Sequence, residues 1–133
     1  MLKTLEISST KKQELIDITE EVKKIVKESG VQEGTVIVFA LHSTASIIIN
    51  ENYDPNICTD LTNCLNNLIP AGKWLHDRID NNADAHLKSA IVGPSEILVV
   101  EKGELLLGRW QAIMLADFDG PRKRKVIVKV VED

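Results

Sequence analysis

Hydrophobic and polar positions along the chain follow strand spacing in some segments and helical spacing in others. Residues 2–7 alternate loosely and predict a strand. Thr10, with Gln13 three residues later, has the pattern of a capping box at the start of a helix. The apolar positions that follow recur at helical spacing and predict a long amphipathic helix ending at Gly30: Leu15, Ile18, Val22, Ile25 and Val26.

The next segments predict a buried strand and a second long helix. Residues 35–41 are apolar on both faces and rich in β-branched side chains, which predicts a central strand that ends just before His42. Residues 45–49 continue as a strand after a polar interruption. Asp54 followed by Pro55 is typical of a helix start, and apolar spacing extends this helix to Pro70.

The second half of the chain predicts a short helix followed by a β-meander. Residues 71–82 have the pattern of a loop, and residues 83–92 predict a short helix that Gly93 and Pro94 close. Strands are expected at 96–101, 104–115 and 125–131, joined by turns at residues 102–103 and 119–121. Two long helices with a mainly antiparallel sheet predict a single α+β domain over residues 1–133.

Composition narrows the class of protein. A chain of 133 residues with 44% hydrophobic content fits one compact domain. The net charge of −4 makes general nucleic-acid binding an improbable function. No apolar stretch could span a bilayer and no signal peptide is evident, so we expect a cytoplasmic protein without a membrane partner. Cys58 and Cys64 fall in a helical pattern and are expected to be buried free thiols.

The chain has three histidines, His42, His76 and His86, and each has polar neighbours. Neutral imidazole is a good ligand for divalent metals, so the three could hold a metal ion if the fold brings them together. Asp80 and Asp84 offer oxygen ligands, which suit magnesium better. The alternatives are hydrogen-bonded structural histidines and solvated or helix-capping carboxylates.

A basic run at residues 122–125 stands out in an acidic protein. Period-two geometry places Arg122 and Arg124 on one face, where they could clamp a phosphate or carboxylate group. The alternative is an edge strand protected by charge. Trp110 is expected in the core or a subunit interface, and Gln111 is expected to be a buried amide that needs hydrogen-bond partners.

Six polar motifs resemble those of the YjbQ family and occur in the same order. They cover nearly the whole chain: residues 42–46 (HSTAS), 50–52 (NEN), 80–89 (DNNADAHLKS), 93–95 (GPS), 108–111 (GRWQ) and 118–124 (FDGPRKR). The resemblance implies a small α+β protein that assembles as a homotrimer, with polar pockets near the subunit boundaries.

The resemblance also implies a reaction. It predicts a thiamine-phosphate synthase-type transferase, possible as a side activity, that joins hydroxymethylpyrimidine diphosphate to thiazole phosphate and releases pyrophosphate. We expect an enzyme with a phosphorylated small-molecule substrate and a divalent metal ion, magnesium or zinc. The alternative is a trimeric metal- or phosphate-binding protein without turnover.

The residues on the family's polar positions are expected to gather in one pocket. The predicted catalytic residues are His42, His86, Lys88 and Glu51. The predicted substrate-binding residues are Ser43, Thr44, Asn50, Asn82, Gln111, Arg122 and Arg124. The predicted metal ligands are His42, His76, His86, Asp80 and Asp84.

Overall fold

Two antiparallel sheets and three α-helices make up the molecule. The computed structural model describes all residues, 1–133. The elements are β1 (Leu2–Ser8), β2 (Glu14–Asp17), α1 (Thr19–Ser29), β3 (Gly34–Ala40), β4 (Ala45–Glu51), α2 (Pro55–Leu68), a 3-10 helix (Leu75–Arg78), α3 (Ala83–Val92), β5 (Ser95–Glu101), β6 (Glu104–Leu105), β7 (Gln111–Asp117) and β8 (Lys123–Glu132). The predicted α+β single domain is confirmed.

The larger sheet has five strands in the order β1-β8-β3-β5-β6, and the smaller has three in the order β2-β7-β4. β3 therefore lies in the middle of its sheet, as predicted. β8 lies between β1 and β3, so the basic run does not protect a sheet edge and that alternative is wrong.

The main core lies between the two sheets and is closed by α1. Val36 and Val128 from the larger sheet, Ile47 and Leu115 from the smaller sheet and Val22 from α1 belong to this one cluster, and each is inaccessible to solvent. The other face of the smaller sheet packs against α2 and α3 in a second cluster of Leu65, Ala85, Ala116 and Phe118. The outer face of the larger sheet is left uncovered.

The first helix begins later than the sequence pattern predicts. Residues Glu14–Asp17 pair with β7 as a strand, and α1 begins only at Thr19. The predicted capping box of Thr10 and Gln13 does not form; instead the Thr10 N–H donates to Glu14 Oε1 and closes a turn before the strand. Pairing with β7 thus overrides the helical spacing. The helix ends as predicted, with Gly30 in the left-handed region at a φ of 71°.

The strand predicted at 104–115 is two strands in different sheets, β6 and β7. The Gly108 N–H donates to Gln111 Oε1 at 2.8 Å and closes a turn between them. Gln111 is therefore exposed, contrary to the buried amide that we expected. Trp110 is 49% exposed and lies against Tyr53, with 5.1 Å between ring centroids, so it is not a core residue.

Several local predictions are confirmed. Asp54 accepts a hydrogen bond from the Asn56 N–H at the start of α2, and α3 spans the predicted residues.

The two cysteines differ in exposure. Cys58 is half-buried, and burial raises the pKa of its thiol, but Cys64 is exposed, contrary to the prediction that both are buried. None of the helices combines the length and apolar character needed to cross a bilayer.

Candidate functional site

Polar residues from four parts of the chain line one pocket of about 460 Å³. It lies where the end of β3, the start of β4, the start of α3 and the β7–β8 connection meet. No apolar residue lines it, and its residues are His42, Ser43, Thr44, Asp80, Asn82, His86, Asp119, Arg122 and Arg124. Eight of these nine belong to the predicted site, and the ninth is Asp119.

A buried ion pair forms the floor of the pocket. Arg124 donates from Nε to Asp117 Oδ2 at 2.9 Å and from Nη2 to Asp117 Oδ1 at 2.6 Å. The two side chains are 3% and 0% exposed. Nη2 also donates to Thr44 Oγ1, and Ser9 Oγ donates to Asp117 Oδ2. The bidentate pair therefore holds the guanidinium plane in a fixed orientation.

The Asp117 carboxylate is the buried anion of this floor. Burial by itself raises the pKa of Asp117, but hydrogen bonds from Arg124, Ser9 and the Asp119 N–H outweigh it and lower the pKa below its ordinary value. Asp117 is therefore ionised whenever the protein is folded at neutral pH. Its negative charge balances the positive charge of Arg124. The Nη1 group of Arg124 is not used in this ion pair.

Asp119 organises the side of the pocket. It accepts hydrogen bonds from Lys12 Nζ, from Asn82 Nδ2 at 2.8 Å and from Arg122 Nη2 at 3.1 Å. Burial raises the pKa of Asp119, and the bonds from Asn82 and Lys12 lower it by more. Asp119 is not among the predicted site residues, although it stands in the FDGPRKR motif close to Arg122, which it positions.

Two guanidinium nitrogens point away from these partners. Arg124 Nη1 makes no hydrogen bond within the chain and is not among the buried unpaired atoms, so it still contacts solvent. Arg122 uses Nε and Nη2 on Asp119, and its side chain is 57% exposed, so its Nη1 is also free. Both arginines line the pocket and offer donors to an anion.

His42 enters the pocket from the end of β3. Its Nε2 accepts a hydrogen bond of 2.8 Å from the Lys125 N–H. Burial, followed by the positive charge of Arg124, lowers the pKa of His42 below its ordinary value of 6.5. The imidazole is therefore neutral at neutral pH.

The predicted metal ligands do not form one set. His76 and His86 meet edge to face with 4.8 Å between centroids, and His76 Nε2 lies 3.6 Å from Asp80 Oδ2. Asp84 lies apart, buried and paired with Lys88 at 3.1 Å. No group of three or more histidine, cysteine or acidic side chains is placed to hold a metal ion. The five predicted ligands therefore do not lie together in this structure, and a metal site stays a prediction.

Lys88 also lies outside the pocket. Its side chain is 1% exposed, and Nζ donates to Asp84 Oδ2 and, at 2.6 Å, to Asn66 Oδ1. This arrangement anchors α3 to α2. The Lys88 ammonium group does not reach the pocket, because its acceptors are the buried Asp84 and the half-buried Asn66.

Three predicted site residues lie at the end of their strands that is far from the pocket: Asn50, Glu51 and Gln111. In the β4–β7 pair, Ala45 faces Asp117 at the pocket end, whereas Glu51 faces Gln111 at the other end. Six residues of strand correspond to roughly 20 Å. These three residues share a region of the surface with one another, and the single pocket that we expected does not include them.

A second groove, of about 520 Å³, lies beside the C-terminal end of α1. Its charged groups include Lys23, Lys27 and Lys102, all on the surface. Because this groove lacks the buried, hydrogen-bonded charges that fix donor positions in the polar pocket, the polar pocket is the stronger candidate site.

Sequence relatives and solved structures extend over the whole chain. A UPF0047 protein of Methanocaldococcus jannaschii is 42% identical over 133 residues, covering 100% of this chain and 96% of the relative. UPF0047 protein YugU of Bacillus subtilis is 42% identical over 131 residues, covering 98% and 99%. The crystal structure of a YbjQ-like protein of unknown function from Sulfolobus solfataricus has a TM-score of 0.97 at 34% identity, covering 100% of this chain and 97% of that one.

A further crystal structure, of an uncharacterised conserved protein from Clostridium acetobutylicum, has a TM-score of 0.93 at 42% identity, covering 97% of this chain and 99% of that one. These relatives and structures carry the names of proteins without a known function, and none of them is named as a thiamine-phosphate synthase. The prediction of a thiamine-phosphate synthase-type transferase is therefore wrong.

The fold, the ordered motifs and the relatives agree with the match to a family model. The model described as "UPF0047 protein YjbQ-like" matches residues 3–133. The chain belongs to the UPF0047 YjbQ-like family.

Proposed function

We propose that the polar pocket binds a small molecule through a phosphate group. The observation that carries this proposal is the pair of arginines, Arg122 and Arg124, each held by an aspartate and each with a free Nη1 at the pocket. Guanidinium groups match the geometry of phosphate oxygens and remain charged at all physiological pH values. The hydroxyl of Ser43 adds an exposed donor at the same place.

The charges of the pocket favour a small ligand over a polyanion. The lining carries two guanidinium groups, those of Arg122 and Arg124, and two carboxylates, those of Asp80 and Asp119. Binding therefore depends on directional hydrogen bonds at short range rather than on a broad positive field. Because Asp117 and Asp119 already hold the arginines, little side-chain entropy is lost when the ligand binds. A volume of about 460 Å³ suits a metabolite.

Arg122→Gln is expected to weaken the binding of inorganic phosphate about tenfold, since it removes one charge-assisted hydrogen bond worth about 1.5 kcal/mol. Isothermal titration calorimetry or NMR titration of the purified protein measures this change. Lys123→Gln is the matched control, because Lys123 carries the same charge in the same run but lies outside the pocket. Equal weakening by both variants, or no phosphate binding by the unaltered protein, would contradict the proposal.

We further propose that the chain assembles as a homotrimer through the outer face of its larger sheet. Part of this face carries exposed apolar side chains: Ile97 is 68% exposed, Val99 is 50% exposed and Val131 is 39% exposed. Phe39, at 36% exposure, pairs with Ile127 on the same face, where lysines of β8 also lie. Exposed apolar side chains grouped with charged ones are typical of a protein interface. Lys125, whose N–H holds His42, lies at its margin, so the interface would adjoin the pocket.

The double substitution Ile97→Lys and Val99→Lys is expected to convert the trimer into monomers, because each subunit would place two new charges in an apolar interface. Sedimentation velocity measures the change, with circular dichroism as a check on folding. The control is Glu20→Lys, on the exposed side of α1 and away from this sheet face. Sedimentation of the unaltered protein as a monomer would show the proposal to be wrong.

A further inference from the structure

The two ring nitrogens of His42 differ in their hydrogen bonding: Nε2 has a partner within the chain and Nδ1 has none. β3 ends at Ala40, which pairs with Val126, and the next ladder bond runs from the Leu41 N–H to the Lys125 carbonyl at 3.1 Å. The Lys125 N–H then donates to His42 Nε2 at 2.8 Å. The imidazole nitrogen thus takes the place of the backbone carbonyl that would continue the ladder between β3 and β8.

This bond fixes the position of the ring proton. A nitrogen that accepts a hydrogen bond carries no hydrogen, so the neutral ring of His42 must carry its proton on Nδ1. Nδ1 makes no hydrogen bond within the chain and is not among the buried unpaired atoms. His42 is half-buried and lines the pocket together with Arg122 and Arg124. The Nδ1–H group is therefore available to a ligand there.

We propose that His42 is a neutral hydrogen-bond donor of fixed tautomer, whose Nδ1–H binds a deprotonated oxygen of the anion held by Arg122 and Arg124. This inference rests on the proposed phosphate site and assigns a specific role within it. All three residues present donors, so the site favours ionised oxygens, which accept more strongly than a hydroxyl, and disfavours an ammonium group, which can only donate.

The same geometry removes His42 from two predicted roles. A histidine that binds a metal normally donates its second ring N–H to a carbonyl or carboxylate, but here the partner is itself a donor, the Lys125 N–H. With one nitrogen occupied as an acceptor and the other protonated, neither offers a free lone pair for a metal ion or for proton abstraction. His42 is thus a binding residue, contrary to its predicted place among the metal ligands and catalytic residues.

The tautomer can be measured without a ligand. Long-range ¹H–¹⁵N NMR correlation of the uniformly labelled protein at neutral pH is expected to show Nδ1 protonated and Nε2 unprotonated in His42. Added inorganic phosphate should then shift the Nδ1 signal of His42. A ring protonated on Nε2, or on both nitrogens, overturns the inference even if phosphate binds.

Two substitutions separate the functions of the two nitrogens. His42→Gln can keep an acceptor oxygen near the position of Nε2 but has no donor near Nδ1, and we expect it to bind phosphate about tenfold more weakly. His42→Asn keeps a donor near Nδ1 and should bind within about threefold of the unaltered protein. If His42→Gln binds phosphate as tightly as the unaltered protein, the donor role is wrong although the phosphate site stands. If the unaltered protein binds no phosphate, the site itself is wrong, whatever the tautomer.

Discussion

Asp117→Asn is expected to lower the free energy of unfolding by about 3 to 5 kcal/mol, because it leaves the Arg124 guanidinium buried without a counter-charge. The two side chains are 0% and 3% exposed, so water cannot take the place of the lost carboxylate. The amide also cannot accept two hydrogen bonds in the bidentate manner. Urea denaturation at neutral pH, followed by circular dichroism, measures the change.

The effect of this substitution should depend on pH. The pKa of Asp117 in the folded protein lies below its ordinary value of 3.8, so its contribution to stability is complete above that value and is lost as the pH falls through the folded pKa. The difference between the two proteins should therefore be full at pH 7 and shrink below about pH 4. A double variant, Asp117→Leu with Arg124→Met, removes both charges and should recover much of the stability. A constant difference across this pH range would show that the charge of Asp117 is not its cause.

Lys88→Met is expected to have a similar cost, about 3 to 5 kcal/mol, for the opposite reason. It leaves the Asp84 carboxylate, which is 5% exposed, without the ammonium group 3.1 Å away. The loss should also loosen the contact between α2 and α3, since Asn66 Oδ1 would keep only the hydrogen bond from Gln13 Nε2. Chemical denaturation measures the stability, and hydrogen exchange of the α3 amides measures the local effect.

A matched pair of variants tests this explanation. Lys88→Met combined with Asp84→Asn removes both charges from the interior and should be more stable than Lys88→Met alone. Lys23→Met is a control for loss of a lysine charge, because the Lys23 side chain is 50% exposed and its contact with Glu20 is a surface pair. If the double variant is no more stable than Lys88→Met, the unpaired carboxylate is not the source of the cost.

Much of the fold could be predicted because several signals act locally. Asp54 and Pro55 mark the start of a helix through their own backbone chemistry, and Gly30 ends one because it adopts a positive φ. The apolar, β-branched run of β3 fits a central strand, which is paired on both edges and buries one face in the core. In each case the residue type and its nearest neighbours determine the outcome.

The errors arose where pairing between distant segments decided the structure. Residues Glu14–Asp17 have apolar positions compatible with a helix, but in the folded protein they form a strand that pairs with β7. The segment from 104 to 115 reads as one continuous strand, yet Gln111 closes a turn that sends its two halves into different sheets. Neither competing partner can be recognised from the local sequence.

The candidate site was predictable as a set of motifs but not as a geometry. The motifs around His42, Asn82 and Arg122 do meet in one pocket. Glu51 and Gln111 belong to equally distinctive motifs, but the antiparallel pairing of β4 and β7 carries them to the far end of the strands. The role of Asp119 depends on Lys12, Asn82 and Arg122 converging on it, and that convergence follows only from the complete fold.

The floor of the pocket joins segments that are far apart along the chain. Ser9 bonds to Asp117 across 108 residues, and the Arg122 N–H bonds back to Ser9 across 113. Global unfolding must therefore dismantle the pocket and release any occupant. A molecule present at a hundred times its dissociation constant would raise the unfolding free energy by about 2.7 kcal/mol. The melting temperature of the protein, measured with each candidate metabolite in turn, can thus rank these metabolites by binding strength before any reaction is known. The natural ligand can be sought in the same way.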